Sequence, residues 1–266
     1  MLVLLPPSEG KAAGGSGPVL DPAGLSLPAL DGARRTVLDE LVALCSGDAD
    51  KAAEVLGLSA GLRGEIAKNA ALRSAPALPA GEVYTGVLYD ALDLAGLDAH
   101  ARRRAERQLL VFSALWGAVG VADRIPSYRC SAGVRLPGTG ALTAFWRGPL
   151  AEALPAAAGA GLVLDLRSSA YASMWKPTGE LAERTATVRV LQARLVDGVE
   201  KRSVVSHFNK ATKGRIVRSL LTGGAEPATP AELAETLADL GHRVETVAPA
   251  RAGRPWQLDV IVTDVH

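Results

Sequence analysis

Two short runs, LVLL at residues 2–5 and GLVLDL at residues 161–166, are apolar at almost every position. A strand with one face in water alternates polar and apolar side chains, so runs of this kind read as buried strands inside a sheet. The first is stopped by Pro6-Pro7 and the second is bounded by Gly161. Further strands are predicted at Thr187–Val196, Val204–Ser206, Arg243–Thr246 and Leu258–Thr263. Between them, apolar spacing predicts helices over Thr36–Leu44, Asp48–Leu56, Ser59–Leu72 (capped by Ser59), Val87–Leu94, Thr212–Leu221 and Pro230–Leu240. One more is predicted to start at a capping Asp98 and run to Leu110 or beyond. With no internal repeat and no long linker, the expectation is one α+β (mixed α/β) domain over residues 1–266, a central mixed β-sheet flanked by helices.

Hydrophobic residues are 48% of the chain but aromatics only 4%, so the core must be built mainly from Ala, Leu and Val. A net charge of +1 gives no bulk attraction to nucleic acid or membrane and leaves room for a local basic face. Cys45 and Cys130 belong to no C-x-x-C pair, which points to free thiols rather than zinc or a disulfide framework. The opening run is too short for a signal-peptide core, and no stretch reaches the roughly 18 apolar residues of a membrane helix. A cytoplasmic protein without membrane contact is therefore expected.

Chemistry-bearing residues gather at strand exits. After LVLL come Ser8, Glu9 and Lys11; after GLVLDL come Arg167, Ser168, Ser169 and Tyr171; around SHFNKATKG come His207, Asn209, Lys210 and Lys213. Consecutive polar groups at the carboxyl ends of buried strands suit a ligand crevice. Tyr84 and Thr85 in VYTG, and Tyr128 in DRIPSYR, offer hydrogen bonds beside turns, whereas Trp116 and Trp146 sit in apolar stretches and are expected in the core. Two stretches carry bases and no acid: Arg124–Ala151, with Arg124, Arg129, Arg135 and Arg147, and Lys201–Ala225, with Lys201, Arg202, Lys210, Lys213, Arg215 and Arg218. Phosphate, on a nucleotide or a nucleic-acid backbone, is the partner such runs would take, unless they are solvated faces. Seven lysines stand against 22 arginines, so a lysine can mark a place where a compact amine is wanted. The four histidines lack metal-ligand spacing, and no GxSxG, GxxxxGK[ST] or convincing GxGxxG is present, so no metal, cofactor, serine triad or standard nucleotide loop is expected.

LLPPSEGK, VYTG, SALWGAVGVADRIPSYR with its following FW, DLRSSAY and SHFNKATKGRIVR occur in this order along nearly the whole chain. Together they resemble the YaaA family, also called UPF0246 or DUF328, the peroxide stress proteins. The resemblance implies a cytosolic mixed α/β protein linked to hydrogen peroxide resistance through limitation of free iron. It also implies DNA binding through a positively charged cleft with a helix-hairpin-helix element. That element would correspond to Leu56–Ile66, within a helix pair over about 48–72, with Gly57, Gly61 and Gly64 in its turn and Arg63 and Lys68 as phosphate contacts. On this reading a monomer binds duplex DNA without sequence preference through Lys11, Arg63, Lys68, Arg124, Arg129, Lys210, Lys213 and Arg215. An alternative is an enzyme acting on a small phosphorylated or nucleoside-like substrate in a pocket drawn from Ser8, Glu9, Lys11, Tyr84, Ser168, Ser169 and His207. Convergence of these side chains in an enclosed pocket would favour the enzyme, and scatter over an open surface would count against it.

Overall fold

The computed structural model of the chain describes residues 1–14, 17–204 and 206–263, with the backbone alone for 206–208. Strands in chain order are β1 (Leu2–Leu5), β2 (Ala77–Pro79), β3 (Leu109–Ser113), β4 (Gly117–Gly120), β5 (Arg124–Pro126), β6 (Arg135–Leu136), β7 (Gly140–Ala141), β8 (Val163–Asp165), β9 (Thr185–Val196), β10 (Val199–Val204), β11 (Arg243–Val247) and β12 (Trp256–Val262). The helices are α1 (Asp31–Ser46), α2 (Ala49–Leu56), α3 (Gly64–Ala70), α4 (Ala80–Val83), α5 (Val87–Leu92), α6 (Ala99–Gln108), α7 (Leu142–Phe145), α8 (Arg147–Ala158), α9 (Ser169–Ala172), α10 (Gly179–Glu183), α11 (Ser206–Gly223) and α12 (Pro230–Asp239).

The central sheet runs β11-β12-β9-β8-β1-β3-β4, with β10 paired to β9. β3, β1, β8, β9 and β12 are mutually parallel, and the antiparallel strands β4, β10 and β11 sit on their margins. Every residue of β1 is buried, as expected of a parallel strand with neighbours on both sides: Val3 is in register with Leu109 of β3 and Leu164 of β8. From β1 the chain crosses to β3 on one side, and later to β8 on the other. The carboxyl end of β1 is therefore a topological switch point, where open α/β sheets place their ligands.

Side-chain caps start three of the helices, α2, α6 and α12. The Asp48 carboxylate accepts from the backbone N–H groups of Asp50 and Lys51, and Asp98 does the same for His100 and Ala101, closing free donors of the first turn. At α12 the Thr229 hydroxyl accepts from the Glu232 N–H, and the Glu232 carboxylate accepts from the Ala228 N–H just ahead of the cap. The helix expected over Ser59–Leu72 is instead a 3-10 turn, Ala60–Leu62, followed by α3, and the Ser59 side chain makes no cap. Glycines at 61 and 64 lower helix propensity by about 1 kcal/mol each, enough to break so short a run. The helix expected to reach Leu110 stops at Gln108, where Leu109 turns extended and LLVFS pairs with β1. Five consecutive buried residues are satisfied on both faces of a central strand, which overrides the helical register. The strand expected at Val204–Ser206 ends at Val204, Val205 lies outside the described residues, and Ser206 opens α11 six positions before the expected Thr212.

Two polar anchors fix the layers. Buried Arg34 of α1 donates to the carbonyls of Trp116 (3.1 Å), Ala118 (2.7 Å) and Ser26 (2.7 Å) and to the Asp31 carboxylate (3.1 Å), tying α1 to the β3–β4 turn. Trp116 and Trp146 are both in the core, and the Trp146 indole donates to the Ala114 carbonyl at 2.7 Å.

α11 lies against α5 at Gly214, where a Cβ would meet the Leu88 carbonyl oxygen and come within 3.0 Å of the Leu92 nitrogen. Both are backbone atoms that cannot swing aside. Gly214→Ala is expected to destabilise the fold by roughly 2 kcal/mol or more despite the better helix propensity of alanine, read as a lower urea midpoint. An unchanged or raised midpoint would show that the two helices can separate freely.

Candidate functional site

Pro6 and Pro7 fix the backbone as it leaves β1, because each ring holds φ near its single allowed value. The exit is then locked from outside: Tyr89 Oη donates to the Pro6 carbonyl at 2.6 Å, and Ser8 Oγ accepts from the Thr85 N–H at 3.0 Å and donates to the Gly10 carbonyl at 2.5 Å. Lys11 forms a backbone bridge with Tyr84. Its ammonium turns inward, donates to the Ser8 carbonyl at 2.9 Å, and lies 4.4 Å from the ring centre of Tyr128 and 5.7 Å from that of Tyr84.

Beneath the amine runs a chain of hydroxyls. Tyr84 Oη is 3.0 Å from Tyr128 Oη, which is 2.6 Å from Ser113 Oγ, and Ser113 Oγ accepts from the N–H groups of Leu115 and Trp116. Burial pushes the Tyr84 phenol up to about 12 and Tyr128 well above its usual value, so both keep their protons at neutral pH. Burial pushes the Lys11 amine the other way, to about 8, against the partial restoring effect of the Glu9 charge, while Arg129 adds to the lowering. Glu65 of α3 also contributes to the field at this amine, so α3 flanks the exit.

Glu9 itself faces Arg129: Nη2 is 3.1 Å from Glu9 Oε2, and Nη1 donates to the Glu9 carbonyl at 3.1 Å. Arg129 is held by fully buried Asn69, whose amide nitrogen donates to the Arg129 carbonyl at 2.7 Å and whose amide oxygen accepts the Arg129 N–H at 2.9 Å. Among the described residues Lys11 makes no ion pair, so its amine is buried against rings and a carbonyl.

At the neighbouring exit of β8, Arg167 is consumed by the fold. It makes a buried two-point pair with Asp165 (2.8 and 2.5 Å), donates to the carbonyls of Tyr171 and Trp175, and stacks 4.3 Å from the Phe112 ring centre. Lys213 of α11 donates to the Leu166 carbonyl at 3.2 Å, and burial lowers its pKa. Ser168 and Ser169 are exposed at the start of α9. Buried Tyr171 follows, its pKa raised by burial and then by the nearby Glu9 charge.

The structure thus brings Ser8, Glu9, Lys11, Tyr84, Tyr128 and Arg129 together. Arg63 is paired with Asp50, Lys68 with Glu65 (2.6 Å), and Arg124 donates to the Ala77 carbonyl (2.9 Å). Lys210 and Arg215 are exposed on α11 and take no part in the Lys11–Arg129 contacts. The His207 side chain lies outside the described residues. Sequence reasoning missed Asn69, Ser113 and Cys130. Ser113 had one signal, a lone hydroxyl in an apolar run. Cys130 is fully buried, which pushes its thiol up to about 12, and burial raises Cys45 as well.

A cavity of about 560 Å3 is lined by Tyr84 and Thr85 together with Glu82, Asp90, Asp93, Glu106 and Arg102. With four carboxylates against one guanidinium, its lining suits a cation better than a phosphate. Among the described residues no group of three or more His, Cys, Asp or Glu is placed to hold a metal ion, and no helix is long and apolar enough to cross a membrane.

Residues 1–246 match the family model described as peroxide stress protein YaaA. The chain is 69% identical to a UPF0246 protein of Streptomyces coelicolor over 266 residues, covering all of both chains. It is 42% identical to a UPF0246 protein of Corynebacterium efficiens over 98% of this chain and 100% of that one. A UPF0246 protein of Corynebacterium glutamicum is 41% identical over 92% and 95%.

Two outcomes follow from the electrostatics. Arg167→Met leaves Asp165 buried without its partner and is expected to cost about 3–5 kcal/mol of stability by urea unfolding. For Lys11 the folded pKa, about 8, lies below the unfolded 10.5, so between these values the unfolded chain holds a proton that the folded one has released. Stability supplied through Lys11 therefore rises with pH across that window. Comparing wild type with Lys11→Met at about pH 7 and about pH 10, the wild type should gain relative to the variant at the higher pH. A pH-independent difference would refute the assigned burial of the amine.

Proposed function

Because this chain belongs to the YaaA peroxide stress protein family, we propose that it acts in peroxide defence as a cytoplasmic monomer that binds duplex DNA without sequence preference and limits iron-dependent oxidative damage. The observation that carries the reading is the Asn69 clamp. It fixes Arg129, held at both backbone polar atoms beside the β1 exit, against α3, the helix that carries Lys68. Arg63 immediately precedes α3, and Lys210 and Arg215 add exposed charge on α11. The carboxylates now facing Arg63 and Lys68 are no obstacle: such surface pairs are worth at most about 1 kcal/mol, so phosphate oxygens can replace them. At Gly61 and Gly64 an added Cβ would meet nothing, so packing does not demand glycine there, and a backbone phosphate can come close. Bases that neutralise phosphates displace condensed cations. Iron(II) is one such cation, so iron-driven damage would fall where the protein sits.

The test is a salt titration of duplex binding with wild type, Arg63→Ala and Lys210→Ala. Affinity should fall steeply with salt, and each variant should weaken binding and reduce the logarithmic salt slope by about 1. Binding indifferent to salt, or unchanged in both variants, contradicts the reading.

A second reading is favoured by one observation that phosphate binding does not require: the inward-turned, ring-enclosed amine of Lys11. A group that only met backbone phosphate would do better exposed. This amine suits a site for a small phosphorylated or nucleoside-like molecule, with Glu9, Tyr84 and Arg129 beside it.

A further inference from the structure

We propose that Lys11 is a nucleophile that captures carbonyl carbon as a Schiff base, and that its substrates are phosphorylated sugars presenting an aldehyde or ketone. The inference rests on the second reading above, that the β1 exit holds a ligand, and assigns that site its chemistry.

The placement of the amine is hard to explain structurally. A lysine kept for stability is normally paired with a carboxylate, and one stands two residues away in Glu9. Yet Glu9 is taken by Arg129, and the Lys11 nitrogen is left with a single backbone carbonyl and two aromatic faces. Burial away from water, with no carboxylate in direct contact, disfavours the ammonium more than the two ring faces and the Glu9 charge favour it, and so favours the free amine with its lone pair, the form that attacks carbonyls. Burial accordingly brings the pKa to about 8, so the amine is partly free at neutral pH. The rigid Pro6-Pro7 exit and the bond to the Ser8 carbonyl hold the nitrogen in place, as a nucleophile requires. Two buried polar atoms around Tyr128 have no partner among the described residues: Ser127 Oγ, adjacent in sequence, and Trp116 Nε1, on a ring set edge-on at 6.2 Å. Unpaired buried donors of this kind call for water or a ligand group.

The step balances without a further reactant. The amine lone pair attacks the carbonyl carbon, the C=O π pair moves to oxygen and collects a proton, and the nitrogen loses one. The resulting carbinolamine then expels its oxygen as water, a C=N bond forms, and amine plus carbonyl has become imine plus water. Glu9, with 63% of its side chain exposed, is the carboxylate positioned to move protons between this site and solvent. Arg129 supplies the phosphate preference, since its Nη2 contact with the exposed Glu9 carboxylate is one a phosphate oxygen can take over.

Aldehyde and phosphate occur together in free sugar phosphates and at abasic sites of duplex DNA, so the test carries both. Wild type is incubated with glyceraldehyde phosphate or with an abasic duplex, reduced with borohydride, and mapped by peptide mass spectrometry. Unphosphorylated glyceraldehyde and intact duplex serve as controls. The expected result is a reduced adduct on the Lys11 peptide alone among the seven lysines. Its yield should rise as pH passes through about 8 and vanish in Lys11→Arg. Arg129→Gln should lower capture of the phosphorylated aldehyde by a larger factor than capture of the unphosphorylated one. Reaction with one probe only identifies the source. Adducts spread over several lysines, or surviving in Lys11→Arg, overturn the proposal, and mapping of the wild-type adduct decides the site even if the variants fail to fold. Calorimetric binding of glyceraldehyde phosphate without any adduct overturns the nucleophile and leaves the ligand site standing. Neither binding nor adduct with either probe overturns both.

Discussion

The position of β1 between β3 and β8 is the constraint from which the rest follows. A four-residue strand contributes little by itself, but as the parallel neighbour of two others it is buried on both faces and its register is fixed on both sides. Its carboxyl exit must then emerge in the middle of the sheet edge, beside the exits of β3 and β8. Ser8, Glu9 and Lys11 reach Tyr128 and Arg129 because the strand before them cannot slip.

Around that exit the energetic contest is between desolvation and pairing. Where pairing wins, as at Arg167 with Asp165, the charge is locked into structure and has little left to offer a ligand. Where desolvation wins, as at Lys11, the group is held away from its ordinary state and keeps chemical potential in hand. The two basic residues occupy adjacent strand exits with opposite outcomes, decided by which one received the carboxylate.

Two buried strands and one helix cap were legible because their causes are local: apolar runs at Leu2–Leu5 and Val163–Asp165, and Asp98 set before helical spacing. β3 was not, because its residues continue the periodicity of α6 and become a strand only through pairing with β1, about a hundred residues away in sequence. The same division holds in the site. Ser8, Glu9, Lys11 and Tyr84 could be named from composition beside turns. Asn69 could not, since nothing near it hints at Arg129 60 positions later. The acceptors that Arg63, Lys68 and Arg124 meet could not be named either, because their positions are set only by the fold.

The two thiols bear on what a protein of this family must survive. Peroxide attacks thiolate, and both Cys45 and Cys130 are buried with raised pKa values, Cys130 to about 12, so almost none of either is thiolate in the cell's pH range. Met174, 1% exposed, is likewise shielded. The oxidisable sulfur at these positions is stored where the oxidant finds it neither ionised nor accessible. Oxidation at these three atoms would first require the fold to open, so their chemistry is tied to the stability of the core that covers them.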